Sequence, residues 1–179
     1  MRKIGTALIL ISSLALGACG TAKTAMPQTT AKPTSTTTTT TTIPVTTTTL
    51  SPQQSAQTSY FYIVAETNPL LKAIADQYTR SDGSVPWSQA PSYCGEGANV
   101  LQRFGQLLAT TAWPPEYQPQ VTDLIAKNSV FAQLTFECAD LPGTAKALSA
   151  LWQQLQAAGA EKSAATSTLR GVLGLPIER

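Results

Sequence analysis

The chain has 179 residues, of which 12 are basic, 10 are acidic and none is histidine. The lack of histidine excludes Ser–His and Cys–His nucleophilic catalysis and histidine-ligated metal sites. Four of the basic residues lie within the first 32 positions, whereas every acidic residue follows position 58. The carboxy-terminal part therefore carries a small net negative charge, which excludes the basic surface that nucleic-acid binding requires.

Residues 1–18 have the pattern of a secretory signal peptide. Two basic residues precede a largely apolar run at 4–16, which is shorter than the roughly 20 apolar residues of a membrane-spanning helix. The run ends in Leu16-Gly17-Ala18-Cys19, which resembles the bacterial lipobox. We therefore expect cleavage before Cys19 and acylation of this residue with chains such as palmitate, which would anchor the mature chain in the membrane. The alternative is an ordinary signal peptide followed by a chance cysteine.

Residues 19–58 predict a disordered tether between the lipid and the rest of the chain. Threonine and proline dominate this segment, and residues 36–42 are an unbroken run of threonine. Such a composition buries too little apolar surface to offset the entropy lost on ordering. Thr/Pro-rich segments are also typical substrates of O-glycosylation, and a bare spacer is the alternative.

Residues 59–176 predict one helical domain, and residues 177–179 are a short tail. Apolar residues recur at helical spacing in four segments, with no alternating pattern typical of strands. The segments lie near residues 59–80, 96–112, 115–141 and 144–173. Four amphipathic helices of this kind predict an all-α fold, an antiparallel four-helix bundle.

Two features of the first half of this domain complicate the helix pattern. Pro69 interrupts the first segment, but the apolar stripe keeps its phase, which favours a kinked continuous helix over two separate helices. Residues 81–97 are rich in Gly, Pro and Ser, and they predict a long loop that has Cys94 near its end.

Three cysteines are present, and Cys19 is assigned to the lipid. Cys94 and Cys138 remain as an even pair in an oxidising compartment, which predicts a disulfide. Cys138 lies on the apolar stripe of the third segment. Closing a loop of about 45 residues would stabilise the fold by up to about 4 kcal/mol in the chain-entropy description. Two free buried thiols are the alternative.

Several motifs together resemble those of small helical lipoproteins of actinobacteria. They are the lipobox, the Thr-rich spacer, the Trp113-Pro114-Pro115 start of the third segment and the closing Leu-Arg-Gly-Val-Leu-Gly-Leu-Pro at 169–176. The resemblance implies the extracytoplasmic face of the cell membrane as the location and the helical bundle as the fold. It implies no activity.

Residues on the predicted core faces are candidates for a ligand pocket between the helices, namely Phe104, Asn128, Phe131 and Trp152. Asn128 lies on an otherwise apolar stripe. It either lines a cavity or forms a hydrogen bond inside the core and fixes the register of the helices. For Trp152, the alternative to a ligand pocket is a place in the core, with Trp87 packing the long loop.

Glu137 and Asp140 are three residues apart and are predicted to share a helix face. Paired carboxylates can bind Ca²⁺ or transfer protons, although a solvated helix face is the usual explanation of such a pair.

No catalytic, metal or cofactor motif is recognisable, so we expect a non-enzymatic module outside the membrane. Its partner would be another envelope protein or the cell wall. The alternative is a carrier that holds a small apolar ligand or lipid between the helices, which requires an internal cavity of about 300 Å³ or more.

Overall fold

The computed structural model describes residues 50–177. This part of the chain forms four α-helices and no strand, which confirms the predicted all-α class. The helices are α1 (Pro52–Tyr78), α2 (Ala90–Thr110), α3 (Gln118–Asp140) and α4 (Ala145–Val172). The signal peptide, the lipobox with Cys19 and most of the predicted tether lie outside the described residues.

Helix α1 begins at Pro52 rather than near Ser59, so the last part of the predicted tether is helical. Ser51 caps the helix: its hydroxyl accepts from the Gln54 backbone amide at 3.2 Å, and the Gln54 side chain accepts from the Ser51 amide at 3.0 Å. This reciprocal pair is a capping box. The first turns are polar, and the apolar stripe therefore did not indicate where the helix starts.

The polar first turns of α1 contact the end of α4. Gln53 and Gln57 both donate from Nε2 to the carbonyl oxygen of Leu173, at 3.1 and 2.7 Å. Carbonyls at the end of a helix lack partners within that helix, so these two amides satisfy an otherwise open acceptor.

Helix α1 continues through Pro69, in agreement with the prediction of one continuous helix. Proline has no amide hydrogen and cannot donate to the carbonyl four residues earlier, which belongs to Ala65. The burial of the continuous apolar stripe thus outweighs the loss of one backbone hydrogen bond.

Helix α2 begins at Ala90, so the predicted loop at 81–97 is wrong in its second half, and Cys94 lies in the helix. A single 3₁₀ turn, Trp87–Gln89, leads into α2. Pro91 in the first turn suits a helix start, since proline there sacrifices no hydrogen bond. Gly95 and Gly97 indicated a loop by propensity, but α2 packs closely against α3 along its length, and this packing overrides propensity.

Both ends of α4 follow local sequence signals. The hydroxyl of Thr144 caps α4 by accepting from the amide of Ala147 at 3.2 Å. After α4, Gly174 adopts a positive φ of 69°, and the next amide, of Leu175, donates back to the carbonyl of Arg170 at 2.9 Å. This left-handed glycine and its backward bond form a helix stop.

A disulfide joins α2 to α3, as predicted. Cys94 and Cys138 are bonded, their Cα atoms are 5.8 Å apart, and both residues are buried. The bond closes a loop with a sequence separation of 44 residues.

The core consists of two clusters of buried residues. The first, which we call the disulfide cluster, comprises Leu71, Ile74, Val85, Ala90, Tyr93, Cys94, Val100, Leu101, Phe131, Ala132, Cys138, Leu148, Leu151, Trp152, Leu155 and Ala158. The second, which we call the terminal cluster, comprises Ala56, Tyr60, Ile63, Phe104, Leu108, Trp113, Tyr117, Val121, Leu124, Ala165, Leu169 and Leu173. Every helix contributes to both clusters.

Replacing both Cys94 and Cys138 with alanine is expected to lower the free energy of unfolding by about 2–4 kcal/mol, because the unfolded chain regains the freedom of the open loop. Urea unfolding followed by circular dichroism measures the change. Ser149→Ala, at an exposed position of α4, is the control and should change stability by less than about 0.5 kcal/mol. An unchanged free energy in the double variant would contradict this role of the disulfide.

Candidate functional site

Polar residues separate the two core clusters on three of the four helices. Thr67 lies between Ile63 and Leu71 on α1, Asn128 lies between Leu124 and Phe131 on α3, and Lys162 lies between Ala158 and Ala165 on α4. In α2, the boundary falls between Leu101 and Phe104. We call the group Thr67, Asn68, Asn128 and Lys162 the polar layer.

Asn128 and Lys162 contact the same turn of α2. Asn128 donates from Nδ2 to the carbonyl oxygen of Leu101 at 2.8 Å. The Lys162 ammonium lies 5.1 Å from the centroid of the Phe104 ring. Their chain neighbours Lys127 and Glu161 form an ion pair of 2.8 Å across α3 and α4. The two residues therefore lie at the same position along the helix axes, which we call the same height.

An ion pair between α1 and α2 places Thr67 and Asn68 at the same height as Asn128 and Lys162. Glu66 is paired with Arg103, which directly precedes Phe104 in α2. The hydroxyl of Thr67 donates to the carbonyl of Ile63 at 2.9 Å, and the residue is fully buried. The amide oxygen of Asn68 is buried and has no hydrogen-bond partner among the described residues.

Asn128 is only half satisfied. The residue is 2 % exposed, and while its amide nitrogen bonds to Leu101, its Oδ1 atom has no partner within residues 50–177. An unpaired buried acceptor costs about 1–3 kcal/mol. The hydrogen bond agrees with the prediction that Asn128 fixes the register of the helices. That role does not require a buried Oδ1 atom without a partner.

Gly105 makes the close approach of Asn128 to α2 feasible. A Cβ atom at this position would lie 2.9 Å from the Asn128 Nδ2 atom. Any larger residue would push the asparagine side chain away from the Leu101 carbonyl. Glycine is unfavourable in the interior of a helix, but at position 105 it permits the close contact between α2 and α3.

Lys162 is a half-buried cation without a counter-ion in the part of the chain that the structure describes. The nearby carboxylates Glu66 and Glu161 are already paired with Arg103 and Lys127. Burial lowers the pKa of Lys162 to about 8. The attraction of the Phe104 ring for the ammonium opposes this shift but is worth only about 0.5–2 kcal/mol.

The structure brings together only part of the predicted ligand pocket. Phe104 and Asn128 lie at the polar layer, and the Phe131 ring follows on the next turn of α3, against Gly159 of α4. Trp152 lies about 15 Å further along α4, from a rise of about 1.5 Å per residue. It is buried in the disulfide cluster, where its ring contacts that of Trp87 edge to face at 6.2 Å.

Lys162 is the functional candidate that the sequence reasoning missed. It lies on the apolar stripe of α4, and a charged residue at a core position is the signal that could have identified it. Asn68 was harder to recognise as a functional candidate, because an asparagine before a proline is equally well explained as a helix cap.

Glu137 and Asp140 share a helix face, as their spacing predicted. Both line an open cleft of about 460 Å³ between α3 and α4, together with Leu141, Ala147, Ala150, Leu151 and Gln154. No group of three or more His, Cys, Asp or Glu residues suited to a metal ion occurs in residues 50–177. Phe104, Phe131 and Trp152 do not line this cleft, so it is not the predicted ligand pocket.

Comparison with known proteins adds no functional assignment. No protein-family model, curated protein or solved structure matches the chain. Within the described residues, no helix combines the length and the apolar character needed to cross a membrane.

Gly105→Ala is expected to destabilise the protein by up to about 2 kcal/mol, because the cost of about 1–3 kcal/mol for displacing the buried Asn128 amide from Leu101 exceeds the gain of about 1 kcal/mol in helix propensity. The matched control is Gly97→Ala in the same helix, where a Cβ would meet nothing within 4 Å. This control should stabilise by about 1 kcal/mol through helix propensity alone. Thermal and urea unfolding measure both changes. Equal stabilisation by the two variants would show that Asn128 does not depend on the glycine.

The stability of the protein is expected to rise relative to that of Lys162→Met between pH 8 and pH 10.5. The pKa of Lys162 is about 8 in the folded state against an ordinary value of 10.5, so between these values the unfolded chain binds more protons and alkali favours folding. Below pH 8 the lysine is charged in both states, and the full penalty of up to about 3 kcal/mol is present. Urea unfolding of both proteins at a series of pH values gives the difference, and a pH-independent difference would contradict the buried charge.

Proposed function

We propose that this chain is a lipoprotein of the bacterial cell envelope, anchored through Cys19, whose helical domain acts outside the membrane as a non-enzymatic binding module. The observation that carries the proposal is the buried disulfide between Cys94 and Cys138. Disulfides persist in compartments outside the cytoplasm. The lipobox and the Thr-rich segment supply the export, the anchor and the reach.

We infer that the four helices form an antiparallel bundle. Three contacts between neighbouring helices support this arrangement, because each pairs a residue in the earlier half of one helix with a residue at or beyond the later half of the other. They are Cys94 with Cys138 for α2 and α3, Lys127 with Glu161 for α3 and α4, and Gln57 with the Leu173 carbonyl for α1 and α4. The shorter connections from α2 to α3 and from α3 to α4 fit the same topology.

The outer face of α1 is a candidate surface for an envelope partner. Phe61 and Tyr62, which are adjacent in the chain, are 53 % and 66 % exposed. Exposed aromatic side chains on one helix are typical of protein interaction sites, where they supply apolar contact area.

The second candidate function is a carrier of an amphiphilic ligand held between the helices. The polar layer supports it, because Asn128, Asn68 and Lys162 retain hydrogen-bonding capacity that the described residues leave unused. A ligand that supplied the missing partners would restore the pairing that buried polar groups normally have.

The anchor is tested by replacing Cys19 with serine in the full chain expressed in a bacterial host. Wild-type protein is expected to incorporate labelled palmitate and to sediment with membranes, whereas Cys19→Ser should lose the label, because serine offers no thiol to the lipidating enzyme. The matched control is Ser35→Ala, within the Thr-rich segment, which should keep both properties. Unlabelled wild-type protein, or label that persists in Cys19→Ser, would contradict the proposal.

A further inference from the structure

We propose that the open cleft between α3 and α4 binds the basic side chains of an extended segment of an envelope protein, with Glu137 and Asp140 as their charge partners. The inference rests on the proposed role of the helical domain as a binding module, and it assigns the chemistry of the partner. The cleft has a volume of about 460 Å³.

The lining of the cleft combines apolar surface with two unpaired carboxylates. Its apolar members are Leu141, Ala147, Ala150 and Leu151. Within residues 50–177 neither Glu137 nor Asp140 forms an ion pair, and Glu137 Oε1 accepts a hydrogen bond from the Gln133 side chain at 3.3 Å. Lysine and arginine fit such a lining, because their aliphatic stems pack on apolar surface while the charged head groups remain at the solvent-exposed rim.

The end of α3 adds to the negative charge at the cleft. Helix α3 ends at Asp140 and has no basic residue in its last turn, although the carbonyl groups at a helix end favour cations. The start of α4 has the opposite polarity, but the hydroxyl of Thr144 already binds the Ala147 amide there. Lys146 neither lines the cleft nor forms an ion pair in the described part of the chain. The complementary cation is therefore one that a partner supplies.

The spacing of the two carboxylates fits alternate residues of an extended segment. Residues three apart on a helix have Cβ atoms about 5–6 Å from each other. In an extended chain, alternate side chains point to the same side and lie about 6.5 Å apart, at about 3.3 Å per residue. The lining on α4 runs from Ala147 to Gln154, or about 10 Å of helix, which is the length of about three extended residues. Basic residues at alternate positions therefore match the cleft.

Charge and position favour a protein partner over a membrane surface. The anionic headgroups of a membrane would repel Glu137 and Asp140. The chain that precedes residue 50 joins the domain where α4 ends, since Gln57 bonds to the Leu173 carbonyl. About 33 Å of helix separate Leu151 in the cleft from Leu173, at a rise of about 1.5 Å per residue. The cleft is therefore remote from the end at which the domain is tethered.

The open shape of the cleft favours side chains of a larger partner over a free small molecule. Sites for small molecules enclose most of the surface of their ligand, whereas this cleft is open to solvent. A peptide segment needs no such enclosure, because contacts of its backbone and of neighbouring residues with the rim add to those of the basic side chains.

The test measures the fluorescence anisotropy of dye-labelled peptides during titration with the full chain in phosphatidylcholine nanodiscs, whose headgroups carry no net charge. The probe is acetylated Ala-Lys-Ala-Lys-Ala amide. Ala-Lys-Lys-Ala-Ala has the same charge but places its lysines on opposite sides, and Ala-Gln-Ala-Gln-Ala has no charge.

Two variants alter the cleft, and each has a matched control. Glu137→Gln with Asp140→Asn removes both carboxylates, and Glu116→Gln with Asp123→Asn removes two exposed carboxylates near the start of α3. Ala150→Lys places a competing cation in the cleft, and Ser149→Lys adds the same charge at the adjacent exposed position, which does not line the cleft.

The wild-type protein is expected to bind the alternate-lysine peptide saturably. It should bind the adjacent-lysine peptide about threefold more weakly, because only one of its lysines reaches a carboxylate, and should not bind the glutamine peptide detectably. The loss of Glu137 and Asp140 should weaken binding about fivefold, as two exposed ion pairs predict. Ala150→Lys should weaken it similarly, and both controls should bind within about twofold of the wild type.

The melting temperature separates loss of binding from loss of folding. Replacing Glu137 and Asp140 with their amides is expected to maintain or raise it, because acidic side chains at the end of a helix are unfavourable. Binding that is unaffected by both cleft variants, or equally weakened by their controls, would overturn the proposal. Absence of saturable binding to the wild type would also overturn it.

Failure of this site is distinguishable from failure of the anchor. Full-length Cys19→Ser contains the same helical domain, and without nanodiscs it should bind the alternate-lysine peptide like the wild type. If the wild type carries no palmitate but the peptide binds and depends on Glu137 and Asp140, the anchor is wrong and the cleft site stands. If palmitate is present but no peptide binds, the site is wrong and the anchor stands.

Discussion

The pairing of α2 with α3 supports the rest of the helical domain, and two interactions hold it in register. The disulfide joins Cys94 to Cys138 near one end of the pair, and the hydrogen bond from Asn128 to the Leu101 carbonyl joins the helices in their middle. Helix α1 packs mainly on α2, and α4 packs mainly on α3. A change in the α2–α3 register would therefore move both outer helices with it.

The polar layer lowers the stability of this arrangement. A continuous apolar core would avoid an unpaired amide oxygen on Asn128 and a partly desolvated ammonium on Lys162. Register requires only the bond from Asn128 to Leu101, which a single buried asparagine provides. The lysine adds cost without adding register, so the requirement for helix register does not explain the whole polar layer.

The sequence predicted helix identity well and helix boundaries less well. The cap residue Thr144 and the stop at Gly174 gave the ends of α4 because their signals are local. The start of α1 was missed because its first turns are polar and are held by hydrogen bonds from Gln53 and Gln57 to a residue more than a hundred positions later. The start of α2 was missed because Gly95 and Gly97 favour a loop until packing against α3 is taken into account.

The candidate site was predictable in part. Asn128 and Phe104 were recognisable from their places on apolar stripes. Lys162 also lies on an apolar stripe, but its place there indicated no role. Trp152 was assigned to the same pocket as Asn128 and Phe104, although it lies in the disulfide cluster. An apolar stripe shows which face of a helix is buried. It does not show which residues of different helices lie at the same height.

By itself, the sequence determined the all-α class and the pairing of the two cysteines that follow the Thr-rich segment. These properties depend on local periodicity and on residue counting. Only the tertiary structure decided that Asn68, Asn128 and Lys162 share one height and that the buried Oδ1 atoms of the two asparagines have no partner among residues 50–177. That outcome depends on the register of four helices, which arises from contacts between residues far apart in the chain and is therefore not contained in any local pattern.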